Sequence, residues 1–127
     1  MFNPGFRISL LDMGVLIMSL SLAFFMAYYD KLYAIMILYV VGHFFLFCNI
    51  IRISRKPEFI WAVFFIGLNF LHYLYAIPSY PVLLVIMSCL TLLLVILEIK
   101  SPAYHGILWE KLNPNLPHWY QNLRSKK

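Results

Sequence analysis

Charge is scarce in this chain of 127 residues, because Asp, Glu, Lys and Arg together make up only 12% of it. A soluble domain carries about 25% of these residues. From Phe59 to Leu97 not one of the four occurs, and only the segment Pro78–Pro81 interrupts the apolar character. A run of this length without charge excludes an ordinary soluble domain. It predicts an integral membrane protein instead.

Several signatures of chemistry are also missing. The two cysteines, Cys48 and Cys89, lie inside apolar segments and form no CxxC pair, which excludes a disulfide framework and a redox dithiol. The sequence has no glycine-rich phosphate loop, no carboxylate pair and no serine or cysteine beside a usable base. His105 and His118 lack a second set of ligands for zinc. We therefore expect a protein that is not an enzyme, with no catalytic residue and no metal site.

The basic residues do not indicate a nucleic-acid partner. The net charge is +5 at pH 7, but these residues flank the apolar segments and do not form one soluble basic face. Their positions indicate how the chain is oriented in a membrane.

What the sequence does contain is four apolar segments, at about 8–29, 32–51, 59–77 and 80–97. Each is close to the roughly 20 residues that a helix needs to cross a bilayer. Because the hydrocarbon core offers no water, such continuous runs satisfy their backbone groups as helices. The connections are short, which places successive helices antiparallel. The predicted fold is all-α: a polytopic bundle of four antiparallel transmembrane helices over residues 1–100.

The charged connections predict the orientation. One side of such a bundle would carry nearly all the basic residues: Arg7, Arg52, Arg55, Lys56, Lys100, Lys111, Arg124, Lys126 and Lys127. The opposite side would carry Lys31. The positive-inside rule then puts both termini and the 52–58 loop on the cytoplasmic side. Within that loop, Arg52, Arg55 and Lys56 are expected to bind anionic lipid or a partner, each contributing about 1 kcal/mol near an anionic surface.

The tail, residues 101–127, has a different composition: amphipathic, aromatic and basic. Ser101–Pro102 is typical of a helix start, and a proline-rich segment at 113–117 is expected to end any helix. His118, Trp119 and Tyr120 are residue types found at the level of lipid headgroups. We expect this tail to lie along the membrane interface.

Polar residues inside the predicted spans are the candidates for function, because burying them in lipid is costly. At about 1.5 Å of rise per residue, His43, Asn69 and Ser88 lie at similar depths, roughly 12 to 15 Å from the cytoplasmic ends of their spans. We expect them to meet near the middle of the membrane, with His72 one turn beyond Asn69 on the same face. One interpretation is an interhelical hydrogen-bond cluster that fixes packing.

A second interpretation assigns the two histidines, His43 and His72, to a cofactor. Neutral imidazole is a common ligand of haem or chlorophyll and a hydrogen-bond partner for a quinone. One haem held by both is disfavoured, because their depths differ by about 7 Å. In a third interpretation His72 lies near the outer surface and has no special role.

Asp12 is the carboxylate of the first span and lies near its cytoplasmic end. We expect it to pair with a basic residue of the 52–58 loop, an interpretation that outweighs a proton-coupling role. Two strings, residues 42–49 and 101–106, have the specific composition of a family signature.

The functional prediction is a noncatalytic accessory subunit that packs against larger membrane proteins, in a respiratory or photosynthetic assembly, with contacts to lipid, quinone or pigment. It follows from the small size, the missing chemical machinery and an 18% content of aromatic residues. The first alternative is a homo-oligomeric transporter or channel that uses the mid-membrane polar residues. The second is a haem-binding electron carrier.

Overall fold

The computed structural model describes residues 3–126, and these contain helices but no strand. The helices are α1 (Leu10–Tyr29), α2 (Lys31–Phe45), α3 (Arg55–Tyr75), α4 (Tyr80–Ile99), α5 (Trp109–Leu112) and α6 (Leu116–Ser125). Four helical stretches are long and apolar enough to cross a membrane: Leu10–Tyr29, Lys31–Ile51, Arg55–Tyr75 and Tyr80–Ile99. The predictions of an all-α fold and of four such segments are confirmed.

Side-chain caps define the start of α1 and its junction with α2. Ser9 and Asp12 form a capping box, in which each side chain accepts a hydrogen bond from the other residue's backbone N–H. α1 therefore begins at Leu10 and not at residue 8. Asp30 serves two helices: its N–H donates to the carbonyl of Met26 in α1, and its carboxylate accepts from the N–H of Leu32 in α2. A single residue thus connects the two helices.

α2 continues without a break into a π-helical segment, Leu46–Ile51, which the sequence did not indicate. This segment ends at Arg52, whose backbone is left-handed with φ 55°. A left-handed residue other than glycine is costly, and the surrounding hydrogen bonds must hold it in place.

α3 begins four residues before the predicted residue 59. Ser54 precedes it in an extended conformation, and Glu58 lies in the first turn, where the helix dipole favours an acid. Arg55, Lys56 and Glu58 of the connection are therefore helical, because the first turn tolerates both proline and charge. The helix ends at Tyr75, because Ala76 adopts a left-handed conformation that terminates it.

The chain divides into two compact units. The first comprises Met1–Arg52 and His105–Leu108, and the second comprises Ile53–Tyr104 and Trp109–Lys127. In the first unit α1 packs against α2, and in the second α3 packs against α4. The antiparallel bundle of all four helices stays a prediction.

α4 is the most buried helix of the second unit. One of its faces carries five buried residues at helical spacing: Leu83, Met87, Thr91, Leu94 and Glu98. The indole N–H of Trp61 in α3 donates to the hydroxyl of Thr91 over 2.9 Å, and that hydroxyl donates to the carbonyl of Met87. These two hydrogen bonds satisfy the buried indole N–H of Trp61 and the buried hydroxyl of Thr91.

The tail differs from the sequence-based expectation at its start. Residues 101–108 contain turns and bends, and the helix expected to start at Ser101–Pro102 begins only at Trp109 as the single turn α5. α5 ends at Leu112, directly before the 113–117 segment, as expected, but a further helix, α6, begins inside that segment at Leu116. Pro117 occupies the first turn of α6, where a missing N–H costs nothing, and Leu116 is buried.

Candidate functional site

The densest set of long-range hydrogen bonds in the first unit lies at its N-terminal end. Three segments meet there, which we call the N-terminal junction: residues 3–9, 49–52 and 105–108. The N–H of Gly5 donates to the carbonyl of His105 over 2.8 Å, and the N–H of Ile107 donates to that of Ile50 over 2.9 Å. Gly5 has φ +99°, a backbone conformation that residues other than glycine rarely adopt. The N–H of Arg7 also donates to the carbonyl of Asn49 over 3.2 Å, so the N-terminal segment is attached to both other segments through its backbone.

Asn49 is the central side chain of the junction and is 2% exposed. Its amide nitrogen donates to the carbonyl of Arg7 and to the carboxylate of Asp12, each over 2.8 Å. Its carbonyl oxygen is buried and accepts no hydrogen bond among the described residues. Because both partners of the nitrogen are acceptors, the orientation of the amide is fixed.

Asp12 therefore has a different partner from the one expected. Its carboxylate accepts hydrogen bonds from the N–H of Ser9, over 2.7 Å, and from Asn49. The guanidinium of Arg7 interacts with it electrostatically. Beside Asp12 and Asn49 lies a cavity of about 10 Å³, otherwise lined by apolar side chains of α1 and α2. That volume corresponds to one water molecule.

Arg52 connects the end of the π-helical segment to the N-terminal segment. One guanidinium nitrogen, Nη1, donates to the carbonyls of Asn3 and Gly5. Burial lowers the pKa of Arg52, and repulsion from the Arg7 guanidinium lowers it further. Both groups remain cationic, because a guanidinium does not lose its proton near neutral pH.

Arg52 was predicted to bind lipid or a partner together with Arg55 and Lys56. The latter two are exposed residues in the first turn of α3 and belong to the second unit. The role of the three in binding stays a prediction. The structure adds Arg7 as the neighbour of Arg52, which a reading of the loop alone did not identify.

The two histidines predicted to bind a cofactor share one feature. In each ring Nδ1 contacts a backbone carbonyl: His43 that of Tyr39, over 2.8 Å, and His72 that of Pro78, over 2.6 Å. Since a carbonyl only accepts, Nδ1 must carry the proton in the neutral ring, and Nε2 is then an acceptor. This is the tautomer that ligating histidines commonly adopt.

The other members of the predicted polar cluster lie in the second unit. The amide nitrogen of Asn69 donates to the carbonyl of Phe65 in its own helix, over 2.8 Å. Ser88 lies in α4 and is half-buried. The expected meeting of His43, Asn69 and Ser88, with His72 beyond them, stays a prediction.

A buried carboxylate in the second unit was not identified from the sequence. Glu98, 8% exposed, accepts hydrogen bonds from the N–H and the hydroxyl of Ser54, over 3.3 and 3.2 Å. It therefore caps the start of α3 from α4, where Ser54 itself makes no capping bond with its side chain. Tyr104 lies nearby, and its pKa is raised by burial and then by the charge of Glu98.

Residues of the second string, 101–106, accept hydrogen bonds in each of the two units. Asn113 donates to the carbonyls of Pro102 and Tyr104, while His105 accepts from Gly5. The bonds from Asn113 lie within the second unit, and the bond from Gly5 lies within the first. Long-range bonds of this kind leave no periodic pattern in a sequence, which explains why the N-terminal junction was not predicted.

Among residues 3–126 no group of three or more His, Cys, Asp or Glu side chains could hold a metal ion. The features that could have a function are the polar and basic N-terminal junction, the two histidines with an acceptor nitrogen, and the exposed apolar faces of the long helices. Comparison with known proteins adds no assignment: the chain matches no protein-family model, no curated protein and no solved structure.

Proposed function

We propose that the protein is a noncatalytic accessory subunit that spans a membrane with its four long helices and packs against larger membrane proteins. The proposal includes the orientation given by the positive-inside rule, with both termini and the 52–58 loop on the cytoplasmic side. The larger proteins belong to a respiratory or photosynthetic complex. Its partners are lipids and other integral membrane subunits.

The observation that carries the proposal is the exposure of apolar side chains along the helices. Leu10 is 91% exposed, and Phe24 and Tyr73 are each 85% exposed. α1 buries only Ala23, and α3 buries only Trp61. Exposed apolar surface of this extent needs lipid or other helices around it.

The aromatic rings on this surface favour contact with helices of a partner protein over part of it. Phe24 and Phe25 on α1, and Phe64 and Phe70 on α3, are all exposed. Rings of this size bring a large contact area and are enriched at the centres of protein interfaces. Lipid covers the remaining surface, and Arg52, Arg55 and Lys56 provide the charges for anionic headgroups.

The test combines photo-crosslinking with gentle detergent extraction. A benzophenone amino acid replaces Phe24 in one variant and Leu83, which is fully buried, in the control. We expect the Phe24 variant to crosslink to another integral membrane protein in the native membrane, and the Leu83 variant to crosslink only within the chain. The extracted protein should run as part of a larger particle containing that partner.

Two results would contradict the proposal. A monomer without copurifying protein, whose Phe24 variant crosslinks only to lipid, excludes the accessory role. A homo-oligomer that crosslinks only to itself favours the alternative of a small transporter or channel. In that case, substituting His43 and Asn69 by leucine should lower flux through reconstituted vesicles.

Cofactor binding is the second candidate function, and the tautomer of the histidines favours it. With Nδ1 bonded to a carbonyl, Nε2 of His72 is an acceptor for a haem or chlorophyll metal or for a quinol hydroxyl. The ring also contacts Tyr80, with 4.0 Å between the ring centres. An absorption spectrum of the extracted particle tests this function: a band that is lost in His72→Leu supports it, and a colourless particle without quinone excludes it.

A further inference from the structure

Arg7 and Arg52 are brought together by the backbone of the N-terminal junction. The N–H of Arg7 donates to the carbonyl of Asn49 over 3.2 Å, and Arg52 lies three residues beyond Asn49. Arg52 extends toward the same segment, because its Nη1 donates to the carbonyl of Gly5. Hydrogen bonds thus fix the backbone of Arg7 and the guanidinium of Arg52 at the same N-terminal segment.

Within residues 3–126 neither guanidinium forms an ion pair with a carboxylate, although Arg7 interacts with Asp12 electrostatically. The side chain of Arg7 makes no hydrogen bond within residues 3–126, and that of Arg52 uses only Nη1. Arg52 retains N–H groups on Nε and Nη2, and Arg7 retains all five. Guanidinium groups of this kind bind phosphate oxygens through parallel hydrogen bonds.

Arg7, Arg52 and Asp12 together carry a net charge of +1. Arg7 and Arg52 contribute two positive charges, and Asp12, which interacts with Arg7, contributes one negative charge. A phosphodiester carries one negative charge and would neutralise the remainder. A bound anion would also relieve the repulsion between the two guanidinium groups.

The location of the pair along the chain indicates where such a phosphate would come from. Arg7 precedes the first residue of α1 by three positions, and Arg52 directly follows Ile51, the last residue of the second apolar stretch. In a bilayer, residues at the ends of spanning helices lie at the level of the headgroups.

We infer that Arg7 and Arg52 together bind the phosphate group of an anionic phospholipid. The inference rests on the proposed membrane insertion, and it specifies a lipid site in the first unit, formed by the N-terminal segment and the end of the π-helical segment. The inference assigns the headgroup phosphate to two specific side chains, whereas the sequence-based prediction assigned it to the basic 52–58 loop as a whole.

The experiment measures lipid binding by native mass spectrometry of the full chain in a neutral detergent. Short-chain phosphatidylglycerol, phosphatidylcholine and inorganic phosphate are the three probes. The test variant is Arg7→Gln, which keeps every backbone bond of the junction because the Arg7 side chain makes none. The matched control is Lys31→Gln, which removes a positive charge at the opposite end of the same two helices.

We expect wild type to bind phosphatidylglycerol more tightly than phosphatidylcholine, and Arg7→Gln to weaken phosphatidylglycerol about five-fold, as expected for one charge near an anionic lipid. Lys31→Gln should bind like wild type. Equal binding of the two lipids, or equal losses in both variants, would overturn the inference. Displacement of phosphatidylglycerol by inorganic phosphate at the same concentration would do so too, because it would identify a site for free phosphate.

The failure of the inference is separable from the failure of the proposed function. Retention of the wild-type chain in carbonate-washed membranes is measured on the same preparation. A chain that is washed out overturns both proposals. A chain that is retained but does not distinguish the lipids overturns only the phosphate site.

Discussion

The two units are held together by different kinds of interaction. In the second unit, α4 buries five side chains on one face, and Leu83 and Met87 have no exposed surface. In the first unit, α1 buries only Ala23, and the long-range hydrogen bonds concentrate at the N-terminal junction. We conclude that packing of apolar side chains dominates one unit and polar bonding at one end dominates the other.

The largest expected effect tests the apolar side of this comparison. Leu83→Ala should lower the free energy of unfolding in detergent by about 2 to 3 kcal/mol. This is the lower part of the range for core leucines, because detergent solvates the apolar side chains of separated helices better than water does. Leu92→Ala is the control, since Leu92 lies on the same helix but is 63% exposed. Thermal unfolding followed by circular dichroism measures both, and equal losses would contradict a core centred on that face of α4.

An intermediate effect is expected at the N-terminal junction. Asn49→Ala removes two hydrogen bonds, to the carbonyl of Arg7 and to the carboxylate of Asp12, which should cost about 1 to 2 kcal/mol. Asn69→Ala is the matched control, because the Asn69 amide bonds only within its own helix. Urea titration of both variants measures the difference. A larger loss from Asn69→Ala would show that the mid-helix polar groups, and not the junction, stabilise the fold.

The smallest effect concerns the hydrogen bond from Trp61 to Thr91 in the second unit. Such bonds between membrane helices average about 0.6 kcal/mol. A double-mutant cycle with Trp61→Phe and Thr91→Val, read by thermal unfolding, isolates this coupling. A coupling as large as the loss from Asn49→Ala would remove the distinction between an apolar unit and a polar one.

The sequence predicted the four apolar helices because composition and run length are local properties. The prediction placed the ends of the helices less well. α3 begins at Arg55, inside the charged connection, because the first turn of a helix tolerates charge and proline. For the same reason α6 was missed, since Pro117 lies in its first turn.

The candidate site was harder to predict than the fold. Asn49 and His105 belong to the strings 42–49 and 101–106, but nothing local in the sequence shows that both bond to residues 5–7. Pairing Asp12 with a basic loop residue was reasonable from charge alone. The capping box and Asn49 provide hydrogen bonds to its carboxylate instead, because oriented N–H donors also stabilise the charged form of a carboxyl group.

The segment His105–Leu108 belongs to the first unit, although more than fifty residues separate it from the end of the π-helical segment. During synthesis, α1 and α2 leave the ribosome long before the residues that bond to Gly5 and Ile50. The unit whose synthesis begins first is therefore not complete until residue 108 has been made, after all four long helices. A chain that stops before residue 105 would contain all four long helices and still lack part of its first unit.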